Sequence, residues 1–484
     1  MHPLLDPFEK HCADRATHVA AGDELMRCDY RTFRGMACGL ASRIAARTQR
    51  ERVGILVPTS ATGAIAIYAC WYAGQVPVPL NFLLAPDELA RIIRDAELDL
   101  VVTIARFAPA VEAAGVQVLL LDEAALEPGP GQVPDVANSD VAAVIYTSGT
   151  TSDPKGVCLT FDNLASNVAA CVTAAQMSPD MVFLSVLPQF HAFGFTANML
   201  VPLTLGASVH YRLRFSPVTM LAAFVEERVS VLITVASMYG ALAAMKNATR
   251  EQFASLTMAV SGGEPLPMRV AQTFEERFGV RIDEGYGMTE ASPVVTLNTA
   301  RAHRAGSVGR PLPGVTVTAV DDQGKPVAAG EPGQLVVRGH CVMQKYLNKP
   351  AETAAVLREG GLWTGDIGCV DADGFVSITG RAREMIIVGG ENVIPYEIES
   401  VLVEHVAVAE AAVIGVTDPI RGELPVAFVH LKEGALRPSE AELRGFCRGH
   451  LAGYKVPRRI HVADDLPRGP TGKILKRALQ ERLS

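Results

Sequence analysis

The chain has 484 residues, a formal net charge of −8 and 49% apolar residues, enough for a large buried core. That length predicts two to four domains of roughly 100–200 residues each, and the absence of any long run of one charge sign gives no basic groove for nucleic acid. Nine scattered cysteines with no C-x-x-C pair argue against a disulfide scaffold or a zinc site and for a reducing, cytoplasmic setting.

The N-terminal stretch "MHPLLDPFEKHCADR" holds no apolar core of signal-peptide length. No Asp, Glu, Lys or Arg occurs from Val53 to Pro86 or from Met181 to Tyr211. Prolines and glycines break both runs, so they are read as short buried elements and not as membrane spans. Aliphatic runs recur along the chain: "RVGILVP", "LDLVVTI", "VQVLLL", "VAAVIYTS", "VSVLITV" and "LTMAVSGG". Helical patterns such as "APDELARIIRDAE" and "PMRVAQTFEERFG" separate several of them. Strands alternating with helices predict buried, parallel-rich sheets.

The character changes near residue 305, where strands joined by Gly- and Pro-rich turns are expected, and "GCVDADGFVSITG" reads as a hairpin with an Asp-Gly turn. Its "DADG" lacks the later ligands of a calcium loop. A smaller α/β segment follows Arg383. The expected fold class is therefore α/β. A large N-terminal domain, 1–382, has helix-flanked sheets and a β-rich subdomain; a small mobile α+β domain, 383–484, follows it.

"YTSGTTSDPKGV", Tyr146–Val157, has the composition of a phosphate cradle. Hydroxyls and backbone N–H groups can wrap phosphate oxygens, and Lys155 adds a positive charge. It is not a Walker loop, because Gly156 and Val157 follow the lysine where G-K-[ST] would be needed. "LPQFHAFG" (187–194), "SGGEPLP" (261–267), "GYGMTE" (285–290), "WTGDIG" (363–368), "GRAREMIIVGGENVIPYEIE" (380–399) and "PTGKILKRAL" (470–479) come after it in that order.

This ordered set resembles the adenylate-forming superfamily, and its wording is similar to the AMP-forming acyl-CoA synthetases over nearly the whole chain. The resemblance implies ATP with Mg2+, an acyl-adenylate intermediate, and capture of the acyl group by coenzyme A. A carrier-protein thiol is the alternative acceptor, and a catalytically inactive nucleotide-binding relative is the alternative class. The implied partners are the carboxylic acid and CoA, with no nucleic acid, no integral membrane segment, and a monomer or homodimer as the working unit.

By resemblance, Thr147, Ser148, Gly149, Thr150, Thr151 and Lys155 hold the β- and γ-phosphates. Ser152 departs from the family's usual glycine. Thr289 contacts the α-phosphate and Glu290 binds Mg2+, a hard cation that prefers carboxylate oxygen. Tyr286 stacks on adenine opposite the backbone of Gly263, Glu264 and Pro265, and Glu284 stands where Asn or Gln often faces the adenine amine. Asp366 accepts the ribose hydroxyls, a bidentate task for a carboxylate, and Arg381 contacts ribose or phosphate. Lys473 is the adenylating lysine. Arg383 is the hinge, and Gly389, Gly390 and Glu391 face CoA. His191 is read either as a core histidine or, by resemblance, as a neighbour of the acyl carboxylate.

Amino-acid-activating relatives carry an aspartate where His191 stands, and no cation lies in 181–211 or 231–241 for a second carboxylate. A fatty or other hydrophobic monocarboxylate is therefore expected. His191, Phe193, Phe195, Met238, Tyr239, Gly287 and Met288 are the candidate lining of its tunnel.

Overall fold

The aliphatic runs form the strands expected of them, in a computed structural model that describes residues 1–122, 126–147, 154–381, 384–388, 391–418, 421–468 and 474–483. The chain divides into two compact units, Met1–Val317 with Val337–Leu362, and Thr318–Val336 with Trp363–Ser484.

The first unit is built on a nine-stranded and a four-stranded sheet. The four-stranded sheet is wholly parallel and runs Val76–Pro79, Arg52–Leu56, Leu100–Thr103, Gln117–Leu120. In the larger sheet Val19–Gly22, Ser208–Tyr211, Val182–Ser185, Val231–Thr234, Met258–Ser261 and Ile282–Gly287 lie side by side in parallel. Val294–Leu297, Arg310–Pro311 and Arg27–Asp29 add antiparallel edges. Val231–Thr234, near the middle of this sheet, is buried at every position, as a strand covered on both faces is.

The two uncharged stretches resolve into short elements. The first gives a strand, the helix Ala61–Tyr72 and a second strand. That helix is buried all round, and the Trp71 indole N–H donates to the Ala142 carbonyl at 2.8 Å. Its first turn is capped by Ser60 Oγ, which accepts from Gly63 N–H at 3.1 Å. Among the described residues no helix is long and apolar enough to cross a membrane.

"APDELARIIRDAE" forms the helix Pro86–Asp95, with proline and two acids in its first turn and Leu89, Ile92 and Ile93 on its buried face. A separate three-stranded antiparallel sheet orders Lys345–Tyr346, Lys155–Thr160 and Val141–Thr147.

In the second unit, Gly361–Val370 and Val376–Arg381 are paired antiparallel. Asp371 Oδ1 accepts from the N–H groups of Asp373 and Phe375, both at 2.9 Å, which makes "DADG" a turn, as its composition predicts. Another sheet of this unit has five strands, ordered Glu391–Val393, Ile386–Val388, Gly422–Leu431, Val408–Asp418, with Arg459–Ala463 parallel to Gly422–Leu431. Pro395–Glu404 and Glu440–His450 bury Ile398, Leu402, Leu443 and Cys447 in its core.

Candidate active site

The phosphate motif sits at a hairpin. Strands Val141–Thr147 and Lys155–Thr160 pair antiparallel, with Thr147 opposite Lys155. Ser148, Gly149, Thr150, Thr151 and Ser152 lie outside the described residues.

The hairpin is anchored at its base. Tyr146 Oη donates to Asp95 Oδ2 at 2.5 Å, and Leu347 N–H donates to the Gly156 carbonyl at 2.7 Å. Gly156 admits no side chain without displacement, because a Cβ there would stand 3.0 Å from both Tyr146 Cζ and Val144 Cγ1.

Lys155, Tyr346 and Glu290 form one cluster. The Lys155 ammonium lies 4.9 Å from the centre of the Tyr346 ring, and Tyr346 Oη donates to Glu290 Oε1 at 2.6 Å. Met343 N–H also donates to the Glu290 carbonyl at 2.8 Å. Burial first, and then the Glu290 carboxylate, push the Tyr346 phenol well above its ordinary value, so it remains a donor. Thr289, Glu290 and Ala291 form one short 3-10 turn after Met288. Gly287 before it is obligatory: a Cβ would fall 2.0 Å from the Pro293 carbonyl oxygen. Tyr346 belongs to "QKYLN", a stretch that no motif flagged.

Glu284 and Tyr286 share the strand Ile282–Gly287, whose register sets Glu284 opposite Ser261 of Met258–Ser261. Tyr286 is half-buried. Glu284 Oε1 accepts from Leu266 N–H at 3.0 Å. Burial raises its carboxyl to about 7, partly opposed by that N–H.

The native state therefore holds a proton that the unfolded chain releases at its ordinary 4.5. The stabilising contribution is full below about pH 4.5 and is lost as pH rises to about 7. Glu284→Gln keeps an acceptor for Leu266 and removes this titration. It is expected to gain on the order of 2–4 kcal/mol over the parent between pH 5 and 8, read by denaturant unfolding at both pH values. Equal pH dependence in the two proteins would contradict the assignment.

Gly263 has φ +81° and Pro265 is exposed. The Glu264 side chain turns elsewhere: its Oε1 accepts from Ser237 N–H at 2.6 Å, at the start of the helix Ala236–Ala244. This is capping of a helix N-terminus by an acid, which the motif did not reveal.

The acyl candidates flank a reversal in strand order. Ser208–Tyr211 lies on one side of Val182–Ser185, and Val231–Thr234 on the other. "LPQFHAFG" follows the first of these central strands, and Ala236–Ala244 follows the second. Open α/β sheets place ligands outside the carboxyl ends of strands at such a point. His191 is half-buried, with its ring 4.9 Å from that of Phe190. Phe193 lies against the glycine loop, 3.0 Å from where a Cβ of Gly262 would be. Met238 is half-buried, with its sulfur accepting from Thr234 Oγ1 at 2.8 Å.

Two expected lining residues are core instead. Tyr239 is fully buried; its hydroxyl donates to the carbonyls of Leu232 (2.7 Å) and Val260 (3.1 Å), and its ring packs edge-on against Phe274. Phe195 is fully buried with its ring against Trp71. Apolar character could not tell which side of each helix faces the sheet.

In the second unit, Asp366 and Arg381 face each other across the strand pair, with Arg381 Nε 3.1 Å from Asp366 Oδ1. Asp366 is buried and Arg381 is exposed. The strand pairing of Val388 with Glu391 brackets Gly389 and Gly390. Arg383, Gly389, Gly390 and Lys473 lie outside the described residues, as does the side chain of Glu391.

The AMP-binding enzyme family matches residues 8–347, and the AMP-binding enzyme C-terminal domain matches residues 397–473. The chain belongs to the AMP-binding enzyme family. It is similar to a feruloyl-CoA synthase of Amycolatopsis sp, at 37% identity over 437 residues and 89% of each chain. It is also similar to a long-chain-fatty-acid–CoA ligase of Bacillus subtilis strain 168, at 33% identity over 479 residues, 89% of this chain and 85% of the relative. Among solved structures, ATP-bound MatB from Rhodopseudomonas palustris matches with a TM-score of 0.94 at 31% identity, over 100% of this chain and 99% of that one. The o-succinylbenzoate CoA synthetase MenE from Bacillus subtilis, solved with its acyl-adenylate OSB-AMP, matches with a TM-score of 0.90 at 29% identity, over 98% and 97%.

This AMP-binding enzyme is an AMP-forming acid–thiol ligase. Its chemistry is ATP- and Mg2+-dependent activation of a carboxylic acid, followed by transfer to coenzyme A.

Proposed function

We propose that the acid is a hydrophobic monocarboxylate, and that the motif residues carry the roles their positions imply. The observation that supports the site most strongly is the meeting of the phosphate hairpin with "GYGMTE" through Lys155, Tyr346 and Glu290.

In this reading a carboxylate oxygen attacks the α-phosphorus of ATP and pyrophosphate leaves. Two anions must approach, so donors and positive charge aimed at the developing charge lower the barrier. Lys155 and the hairpin hold the leaving phosphates, and Thr289 donates at the α-phosphate. Glu290 holds Mg2+, which neutralises phosphate charge when bound; its half-buried carboxylate suits a cation that takes one or two protein carboxylates plus substrate phosphates. Tyr286 packs on adenine above Gly263, with the Glu284 carboxyl at its edge. Asp366 takes the ribose hydroxyls, and Arg381, its neighbour at 3.1 Å, fixes that carboxylate. His191 stands beside the acyl carboxylate. Lys473 serves adenylation. The small domain from residue 383 then turns, and the 388–392 segment receives the CoA thiol.

Phe193 and Met238, flanking the strand reversal, support an apolar acyl site. Burial of each methylene contributes about 0.8 kcal/mol, so such a site rewards chain length until it closes. A hydroxylated aromatic acid is the second reading. Among the described residues, buried Thr196 Oγ1, Asn198 Oδ1 and Ser261 Oγ have no hydrogen-bond partner. They lie on the π-helix Thr196–Leu200, which follows "LPQFHAFG" and Phe195, and at the end of Met258–Ser261, next to the glycine loop. Unpaired buried oxygens cost about 1–3 kcal/mol each and are relieved by a donor on the ligand.

Turnover with CoA across saturated fatty acids and hydroxycinnamates separates the two. Rising kcat/KM with alkyl length supports the first reading. A preference for the phenol over its deoxy analogue supports the second. Activity confined to dicarboxylates or amino acids would contradict both.

A further inference from the structure

We propose that Tyr346 is a positioning residue of the phosphate site, fixing the Glu290 carboxylate through one oxygen while its ring holds Lys155. The inference rests on the reading of Glu290 as the magnesium ligand.

Three observations carry it. Tyr346 Oη donates to Glu290 Oε1 at 2.6 Å, which occupies one carboxylate oxygen and leaves the other to a cation. Mg2+ demands near-ideal octahedral geometry, so a carboxylate held against rotation is better prepared for it than a free one. Hydrogen bonds to metal-ligating carboxylates commonly set metal affinity by tenfold or more.

The same ring lies 4.9 Å from the Lys155 ammonium. A cation over an aromatic face is held there by the ring quadrupole. The lysine is thereby kept beside the acid that holds the cation.

Tyr346 is itself fixed on both sides. It pairs with Val157 in the strand leaving the phosphate motif. Its neighbour Leu347 donates to Gly156, and Asn348 Nδ2 donates to the Asp95 carbonyl at 2.8 Å. Asp95 also receives the Tyr146 hydroxyl from the strand leading into the motif. The "QKYLN" stretch thus fastens both sides of the phosphate hairpin to Glu290.

Tyr346→Phe keeps the ring and removes the hydroxyl. Calorimetric titration of the full chain with ATP, in Mg2+ and separately in EDTA without acid, reads binding apart from turnover. Tyr346→Phe is expected to weaken ATP binding in Mg2+ about tenfold, and to leave ATP binding in EDTA within about twofold, since Lys155 keeps its aromatic face. Tyr346→Leu removes the ring as well and is expected to weaken binding in EDTA too, by about 3–10-fold. Melting curves of each variant report whether the fold is kept.

Glu290→Gln separates the two levels of the account, because it is expected to abolish the Mg2+-dependent gain. If it does so while Tyr346→Phe binds like the parent in both conditions, the role of Tyr346 is overturned and Glu290 stands. If Glu290→Gln keeps the Mg2+-dependent gain, the reading of Glu290 fails and this inference with it. Equal weakening of Tyr346→Phe in Mg2+ and EDTA would make Tyr346 a packing residue only and would also overturn it.

Discussion

Lys473→Ala is expected to slow acyl-adenylate formation by about 10²–10³-fold, the cost of losing one donor to a charge-developing transition state. Thioester formation from supplied acyl-adenylate is expected to remain nearly intact. The described residues that flank 469–473 are fixed by groups other than Lys473. Arg468 pairs in a bridge with Ile474, and Leu475 N–H donates to the Pro467 carbonyl at 2.7 Å. Lys476 Nζ lies 2.6 Å from Glu384 Oε2 and 2.8 Å from Glu399 Oε1. Glu399 Oε1 is held in turn by Val413 N–H at 2.7 Å. Pyrophosphate release reads the first half-reaction, and acyl-CoA formed from synthetic acyl-adenylate reads the second. Equal slowing of both halves, or of neither, would contradict the division of labour.

Arg383→Pro is expected to give the reverse pattern. Proline fixes φ and removes an N–H, and it drives the residue before it out of the helical region. A backbone that must change φ and ψ to turn the small domain loses that freedom. Pyrophosphate release should survive, while acyl-CoA formation from supplied adenylate should fall, on the order of tenfold or more when a required closure is blocked. On one side of this position Arg381 is bound into its strand pair with Asp366. On the other, Glu384 is held by Lys476. The change therefore falls between two anchored residues. Full activity in both halves would remove residue 383 from the hinge.

Much of the fold was legible because its causes are local. The strands within "LDLVVTI" and "VSVLITV", Leu100–Thr103 and Val231–Thr234, are buried at every position because they are covered on both faces, and "DADG" turns because an aspartate accepts from N–H groups two and four residues on. "GYGMTE" is continuous in sequence, so its residues fall together on the end of one strand and the 3-10 turn after it.

What escaped the sequence depends on contacts between distant residues. Tyr346 reaches Glu290 across 56 positions of chain, brought there by strand pairing with Val157 that no spacing announces. Glu264 caps a helix 27 positions earlier. Tyr239 and Phe195 read as tunnel lining because an apolar residue beside a motif has no mark showing whether it faces ligand or core. The carbonyls of Leu232 and Val260, and the ring of Trp71, decide it.

An AMP-forming ligase cleaves ATP between the α- and β-phosphates under attack by a carboxylate. Phosphorus NMR of the products formed with Mg2+, ATP and an accepted acid, first without and then with CoA, tests it most directly. Without CoA, pyrophosphate and acyl-adenylate should appear in equal amounts, only when acid is present; with CoA, AMP and pyrophosphate should be released in equal amounts together with the thioester. Acid-dependent release of ADP and orthophosphate would contradict it.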